Sequence, residues 1–443
     1  MVGLEEEVNS YSDFVDHLES TTHRFVRGRY SPSEDAGQLE MLLNGTNAKA
    51  VTKYLDAEHR KDNGIFFTCE KLSEIVAKRL KNDLTQGKSV CDPTCGAGDL
   101  LLACTKFMPQ KSTVAKTLSY WSSRIYGQDL YGDFVRSARS RLVLSGISQA
   151  KPHKANPIRA RKAAYFENII TADLFENHAL IPKADCIVTN PPYGHTDLTG
   201  KVTWGSGKGQ LAALFLDHIV KLSTNGQRIV AILPDVLRSG SRYGKWRAFI
   251  NQNASNLSIE TYGRFNNEAD VDVFILDFIV FKERNKEHNT SFENYADNEL
   301  LNTVSDIFDV SVGPVVPHRD GEDGASSPYI DVISAGLWKE VVPQDMRNFS
   351  CTLKKPPFVV LRRTSSPSDD FRLKAALIRG REEVAVENHL IVLEPKDGKL
   401  STCRRFLKIA QTDDANSWVN KKIRCRHLTV RAIREMPSFG LES

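Results

Sequence analysis

The sequence predicts a doubly wound α/β domain, preceded by an N-terminal helical segment and followed by a smaller mixed α+β domain. Three observations point there. From Gly64 to about Phe281, short apolar strands alternate with amphipathic helices, the pattern of a largely parallel sheet. Glycine-rich or acidic turns follow several strands, at the carboxyl ends where such sheets bind ligands. After Phe281 a polar stretch, KERNKEHNTSFENYADNE, and a Gly/Pro/Asp-rich loop, GPVVPHRDGEDGASSP, break the alternation.

Residues 1–60 read as helical, with amphipathic stretches LEMLL and AKAVTKYLDAEHR and few β-branched runs. Residues 61–285 form the α/β domain. SVCDP, RIYGQD, IITADLF, DCIVTNPPY, RIVAILP and VFILDFIVF are its strands; LSEIVAKRL, FVRSARSRLVL, AALFLDHIVKL and GKWRAFINQN are helices between them. Residues 286–443 form the third region, where PFVVLRRT, HLIVLEP and RRFLKIA read as short strands in basic surroundings.

Composition narrows the class. With 41% apolar and 26% charged residues the chain can bury a sizeable core. No run approaches the roughly 18 apolar residues of a membrane span. The start, MVGLEEEVNSYSDF, has no apolar leader core, so the protein is expected to stay where it is made, with no membrane partner. Eight scattered cysteines do not make a disulfide framework. Cys91 and Cys95 lack a second pair to close a zinc site, and no metal is expected. Net charge is +4, yet residues 351–435 hold 19 Lys/Arg against 10 Asp/Glu, leaving the remainder mildly acidic. Such asymmetry suits a polyanion partner for the C-terminal third, although a solvated surface has the same composition.

Three strand ends carry chemistry. Asp92-Pro93-Thr94-Cys95-Gly96-Ala97-Gly98 follows the first strand and opens a helix. Its glycines allow close backbone approach, and a helix N-terminus there would suit a phosphate. Asp92 instead puts a carboxylate at the strand end, which suits an amine or sulfonium. Asp129 ends the next strand, where an acid can bond both ribose hydroxyls or simply cap a helix. Asp173 follows the third and could accept from an adenine amine. Three such acids in succession fit an adenosyl ligand.

Asn190-Pro191-Pro192-Tyr193 follows the buried strand DCIVT. An exocyclic amine on a heteroaromatic ring is a poor nucleophile, because its lone pair is delocalised. Two acceptors, the Asn190 side-chain oxygen and a carbonyl of the stiff Pro-Pro segment, can bind both amine hydrogens and turn the lone pair toward a methyl donor. Tyr193 supplies a flat face for stacking.

Together these motifs resemble the adenine-specific (N-6) DNA methyltransferases of type I and type II restriction-modification systems, in the arrangement with target recognition C-terminal. The likeness runs from about Gly64 to Phe281. It implies a Rossmann-like, S-adenosylmethionine-dependent methyltransferase domain acting on an adenine flipped from double-stranded DNA, in a restriction-modification or related DNA-defence setting. It also implies a cytoplasmic, nucleoid-associated protein of bacterial type. NGIFFTCEKLSEIVAKRL resembles the family's leading segment and implies that Thr68 lies near the methionine carboxylate. Asp92, Pro93, Cys95, Gly96 and Gly98 match the cofactor turn. Asp129 and Asp173 match the ribose and adenine acids, and Asn190, Pro191, Pro192 and Tyr193 match the catalytic motif. Phe265 resembles the aromatic that stacks on the extruded base. GHTDLTGKVTWGSGKGQ reads as a mobile DNA-contacting loop, with Trp204 either in contact or a hydrophobic anchor.

A base inside a duplex cannot reach such a pocket, so base flipping and a separate duplex-holding surface are expected. The basic C-terminal region supplies Arg362, Arg363, Arg372, Arg379, Arg381, Arg404, Arg405, Arg424 and Arg426 as candidate DNA contacts. A restriction or specificity subunit is a further expected partner. Glutamine and ribosomal RNA methyltransferases share the catalytic motif but lack a long basic C-terminal domain. A catalytically silent DNA-binding subunit would not need the motif intact.

Overall fold

The computed structural model describes residues 10–27, 30–43, 46–56, 68–150, 165–265, 271–282, 302–321, 323–365, 369–423 and 426–441. The chain divides into two compact units, residues 1–237 with 245–292, and residues 238–244 with 293–443.

The first unit is built on a seven-stranded sheet. Its strands are β1 (Val90–Asp92), β2 (Ile125–Asp129), β3 (Ile169–Thr171), β4 (Cys186–Thr189), β7 (Arg228–Pro234), β8 (Ala254–Arg264) and β9 (Asp272–Val280), in the order β3-β2-β1-β4-β7-β9-β8. From β3 to β7 every pairing is parallel; β9 runs antiparallel to both β7 and β8. β4 and the last six residues of β7 are wholly buried, as continuous apolar runs in a covered parallel sheet should be. The chain winds outward from β1 through β2 to β3, then returns to place β4 on the other side of β1. The carboxyl ends of β1 and β4 therefore flank the switch point, where a crevice opens. β8, over ASNLSIETYGR, was not foreseen; its pleat is broken by two register shifts against β9, which blurs its alternation.

The helices Tyr11–Val26, Pro32–Leu43 and Thr46–Tyr54 belong to this unit. Ser10 caps the first by accepting from the Asp13 N–H at 3.1 Å. Phe14, Val15, Leu18 and Phe25 give it a buried stripe. This layer packs on the helix Gly132–Ser148, whose Arg136 pairs with Asp16 and Glu19. Asn47 accepts from both the Tyr11 phenol (2.8 Å) and the Ser137 hydroxyl (2.9 Å). Arg141 is buried on the same helix. It donates to the carbonyls of Ala97 (2.7 Å) and Leu43 (3.2 Å) and pairs with Asp99 at 2.8 Å. Among the described residues no helix is long and apolar enough to cross a membrane.

The second unit mixes strands and helices. A five-stranded sheet runs in the order Phe308–Val312, Leu390–Pro395, Phe358–Arg362, Ala375–Ile378, Glu340–Val341. Alternate residues of its central strand serve opposite sides: Val359 and Leu361 join one core with Phe406, while Phe358 and Val360 join another with Ile330. RRFLKIA is not a strand. It lies in the helix Leu400–Ile409 and the residue after it, because Cys403, Phe406 and Ala410 recur at helical spacing and are buried together.

Candidate active site

A cleft of about 330 Å³ opens at the switch point, lined by Thr68, Asp92, Pro93, Thr94, Cys95, Gly96, Asp129, Asp173, Asn190 and Pro192, among others. One cavity thus collects residues from six separate stretches of the sequence.

The turn after β1 is shaped by its backbone. Gly98 has φ +87°, and a Cβ there would sit 3.1 Å from that of Ala138, so only glycine fits between turn and helix. Gly98 lies behind the cleft and does not line it. The Asp92 carboxyl is buried and accepts from the Thr94 N–H at 3.0 Å. Burial, with Asp129 and Asp99 nearby, pushes its pKa up to about 8. Asp129 closes the far side. Its carboxylate accepts from the N–H of Gly96 (2.9 Å) and of Tyr131 (3.0 Å), bonds that only partly offset the rise in its pKa caused by burial. Asp173 lines the cleft while accepting from the Phe175 N–H at 2.8 Å.

Asn190 stands where β4 ends. Its amide nitrogen donates to the Thr68 hydroxyl at 3.0 Å, and its oxygen accepts from the Tyr193 phenol at 2.6 Å. Tyr193 is 7% exposed and meets Phe265 edge-on, with ring centroids 5.5 Å apart and planes at 74°. Burial holds the phenol well above its ordinary pKa, so it remains a donor. Pro191 is buried beside it.

The apolar walls of the cleft went unforeseen: Leu130, Phe134, Leu174, Phe175 and Phe215. Leu130 is 60% exposed and Phe175 38%, high for large apolar side chains. The sequence did carry a signal, since Leu130 and Leu174-Phe175 directly follow the strand-end acids.

Two expectations are corrected. The segment after Tyr193 is a folded hairpin, β5 (His195–Asp197) against β6 (Lys208–Gln210), and not a mobile loop. Leu198 and Trp204 are buried, and the indole N–H donates to Asp217 at 2.8 Å, so Trp204 is an anchor. Arg372 is no DNA contact. It is 0% exposed and donates to Ser365 (3.0 Å), Asn420 (2.7 Å) and the Ile423 carbonyl (3.0 Å).

The remaining C-terminal arginines lie in the second unit. Arg404 is exposed and forks onto Glu340 at 2.6 and 3.1 Å, with Arg379 3.6 Å from the same carboxylate. Arg381 and Arg426 are exposed. Arg362, Arg363 and Arg405 are half-buried; Arg363 donates to the Asn388 carbonyl and Arg405 to Thr402. Arg424 lies outside the described residues.

The sequence profile of the N-6 DNA methylases matches residues 50–294, more than half of the chain and all of the cleft. The chain belongs to the N-6 DNA methylase family. Within this methylase family, it is similar to the methylase subunit of the type I restriction enzyme EcoEI of Escherichia coli. That relative is 25% identical over 235 residues, which are 51% of this chain and 44% of the subunit. The type II methyltransferase M.BanIII of Aneurinibacillus aneurinilyticus is 28% identical over 148 residues, 32% of this chain and 24% of that protein. The chain thus spans less than half the length of either relative. In fold it is similar to the type IIL restriction-modification enzyme MmeI, with a TM-score of 0.52 at 10% identity, covering 85% of this chain and 68% of that one.

Proposed function

We propose that the chain transfers the methyl group of S-adenosylmethionine to the exocyclic amine of an adenine flipped from duplex DNA, as part of a restriction-modification system. One observation carries this reading: the Asn190 amide shares a single cleft with the strand-end acids Asp92, Asp129 and Asp173. The cofactor supplies an electrophilic methyl on a sulfonium. The cleft fits such a cation, because among the described residues no cation pairs with the buried Asp92 carboxyl. Asp92 and Thr68 would hold the amino-acid end, Asp129 the ribose and Asp173 the adenine amine. Leu130, Leu174 and Phe175 would flank the adenine ring. Pro93, Cys95, Gly96 and Gly98 would shape the turn.

On the acceptor side, the Asn190 oxygen and a carbonyl of Pro191–Pro192 would accept the two amine hydrogens and aim the nitrogen lone pair. Such acceptors act through charge developing at the amine. Tyr193 and Phe265 would stack the flipped base. No side chain need remove a proton first, since the methylated amine is an acidic cation that loses its proton afterwards. The second unit would hold the duplex through Arg362, Arg363, Arg404, Arg405, Arg424 and Arg426. A restriction or specificity subunit is the natural companion, and the bacterial cytoplasm the natural place.

The test is incubation of the protein and S-adenosylmethionine with plasmid DNA, followed by sequencing that detects modified bases. N6-methyladenine at one recurrent site is expected. Plasmid left unmodified, or modified at cytosine alone, would overturn the reading.

A further inference from the structure

Thr94 and Thr189 lie on either side of the switch point, one in the turn after β1 and the other last in β4, one peptide bond before Asn190. The β1–β4 ladder pairs Val90 with Cys186 and Cys91 with Ile187. Both strands continue past that ladder, and beyond it the Thr94 and Thr189 hydroxyls meet at 2.9 Å. Thr189 is fully buried. Thr94 also gives its N–H (3.0 Å) and its hydroxyl (3.3 Å) to Oδ1 of Asp92. A chain of polar contacts therefore runs from the carboxyl in the turn to the residue that precedes Asn190. Thr68 holds the Asn190 amide from its other side.

We propose that the Thr94–Thr189 hydroxyl pair is a positioning device that fixes Asn190 relative to Asp92. The inference rests on the reading of Asn190 as the residue that holds the acceptor amine. A hydroxyl has one proton and two lone pairs, and an ionised carboxylate only accepts. When Asp92 is ionised, the Thr94 O–H turns toward it and offers a lone pair to the Thr189 O–H. The direction of both bonds is then fixed. A cation beside Asp92 favours that ionised form, and the burial that raises its pKa leaves room for the change. Occupancy of the cofactor end would thus be felt at the start of the Asn190 turn. Thr189 is buried and does not line the cleft, so it acts through its neighbours, whereas Thr94 also lines the cleft.

Valine matches threonine in shape and lacks the hydroxyl, whereas serine keeps it. The experiment compares Thr189→Val, Thr189→Ser, Thr94→Val and the Thr94→Val/Thr189→Val double variant. It measures kcat for methyl transfer and, separately, the dissociation constant of S-adenosylhomocysteine. Thr189→Val is expected to lower kcat at least about fivefold, the scale of one buried hydrogen bond. Its affinity for S-adenosylhomocysteine should stay within about twofold, because Thr189 sits one bond further from Asp92. Thr189→Ser should restore kcat, and the double variant should fall less than the product of the single losses. Unchanged turnover in Thr189→Val, a serine variant as poor as the valine one, or losses that multiply would each overturn the proposal. Turnover is read on whichever acceptor the wild type methylates. A wild type that ignores DNA adenine would remove the proposed substrate, while the ratio of variant to wild type would still decide the hydroxyl link.

Discussion

The phenol of Tyr193 donates a 2.6 Å hydrogen bond to the side-chain oxygen of Asn190, so one lone pair of the acceptor proposed for the substrate amine is already engaged. Tyr193 also stands edge-on to Phe265 instead of presenting a face. On the proposed stacking role the ring must turn to face a docked base, and that turn would break this bond. Tyr193→Phe keeps the ring and removes the competing donor. Base extrusion, read by 2-aminopurine fluorescence at the target position, should become up to about tenfold more favourable, the worth of one net hydrogen bond. Tyr193→Ala should move it the other way by losing the stacking surface. Equal extrusion in wild type and Tyr193→Phe would show that the bond does not restrain the ring.

Asn190→Ala should abolish measurable transfer while cofactor affinity changes only a few-fold. Loss of one positioned acceptor costs about 3 kcal/mol or more of transition-state stabilisation. The small effect on affinity follows from the bond to Thr68, which also lines the cleft. Single-turnover kinetics beside titration calorimetry separates the two. Near-normal turnover would remove Asn190 from the chemistry.

Asp92 gives a pH signature. Its folded pKa of about 8 lies above the ordinary 3.8, so between those values the folded protein holds a proton that the unfolded chain has released. The contribution of this group to stability is therefore greatest below about pH 4, falls as pH rises, and is flat above about pH 8. Cofactor binding has the opposite trend, since a cation prefers the ionised carboxylate. Affinity should rise from pH 6 to 8.5 with release of a proton, and Asp92→Asn should be weaker and flatter across that range. Calorimetry in buffers of different ionisation enthalpy counts the proton; a count of zero in the wild type would contradict the assignment.

The fully buried Arg372 and the exposed Arg404 should behave oppositely. Arg372→Leu strips partners from Ser365, Asn420 and the Ile423 carbonyl, and should destabilise the second unit by about 3 kcal/mol or more. Arg404→Ala should change stability little. If Arg404 meets a phosphate, it should weaken DNA binding and reduce the log–log salt slope by about 0.9. Denaturant unfolding and DNA titration at several salt concentrations give both answers. A destabilised Arg404→Ala with unaltered DNA affinity would take that residue off the duplex.

What the sequence displayed, it displayed locally. Asp92 and Asp129 end short strands, and Asp173 and Asn190 follow others, so a motif read along the chain already located the cleft. The parallel pairing of β1 with β2, β2 with β3 and β4 with β7 followed from the helices between those strands, whereas the return from β3 to β4 carries only the short turn Ile181–Lys183. Arg372 escaped because counting charges treats every arginine as solvated, and its burial is set by Asn416 and Asn420, more than 40 residues away. The hairpin after Tyr193 escaped for the same reason, since a glycine-rich segment is pinned by one indole reaching Asp217 on another element. RRFLKIA was misread because a seven-residue window is shorter than the two helical turns needed to expose its period.

The buried Arg141 has a practical consequence for protein engineers. Its guanidinium ties the Ala97 carbonyl and Asp99 of the turn to the Leu43 carbonyl of the N-terminal helices. A fragment trimmed to begin near Gly64 would leave that cation short of an acceptor beside the cleft, and would strip Asn47 from Ser137. Any fragment or chimera of the first unit should therefore keep the N-terminal helices with the cleft, as part of its chassis.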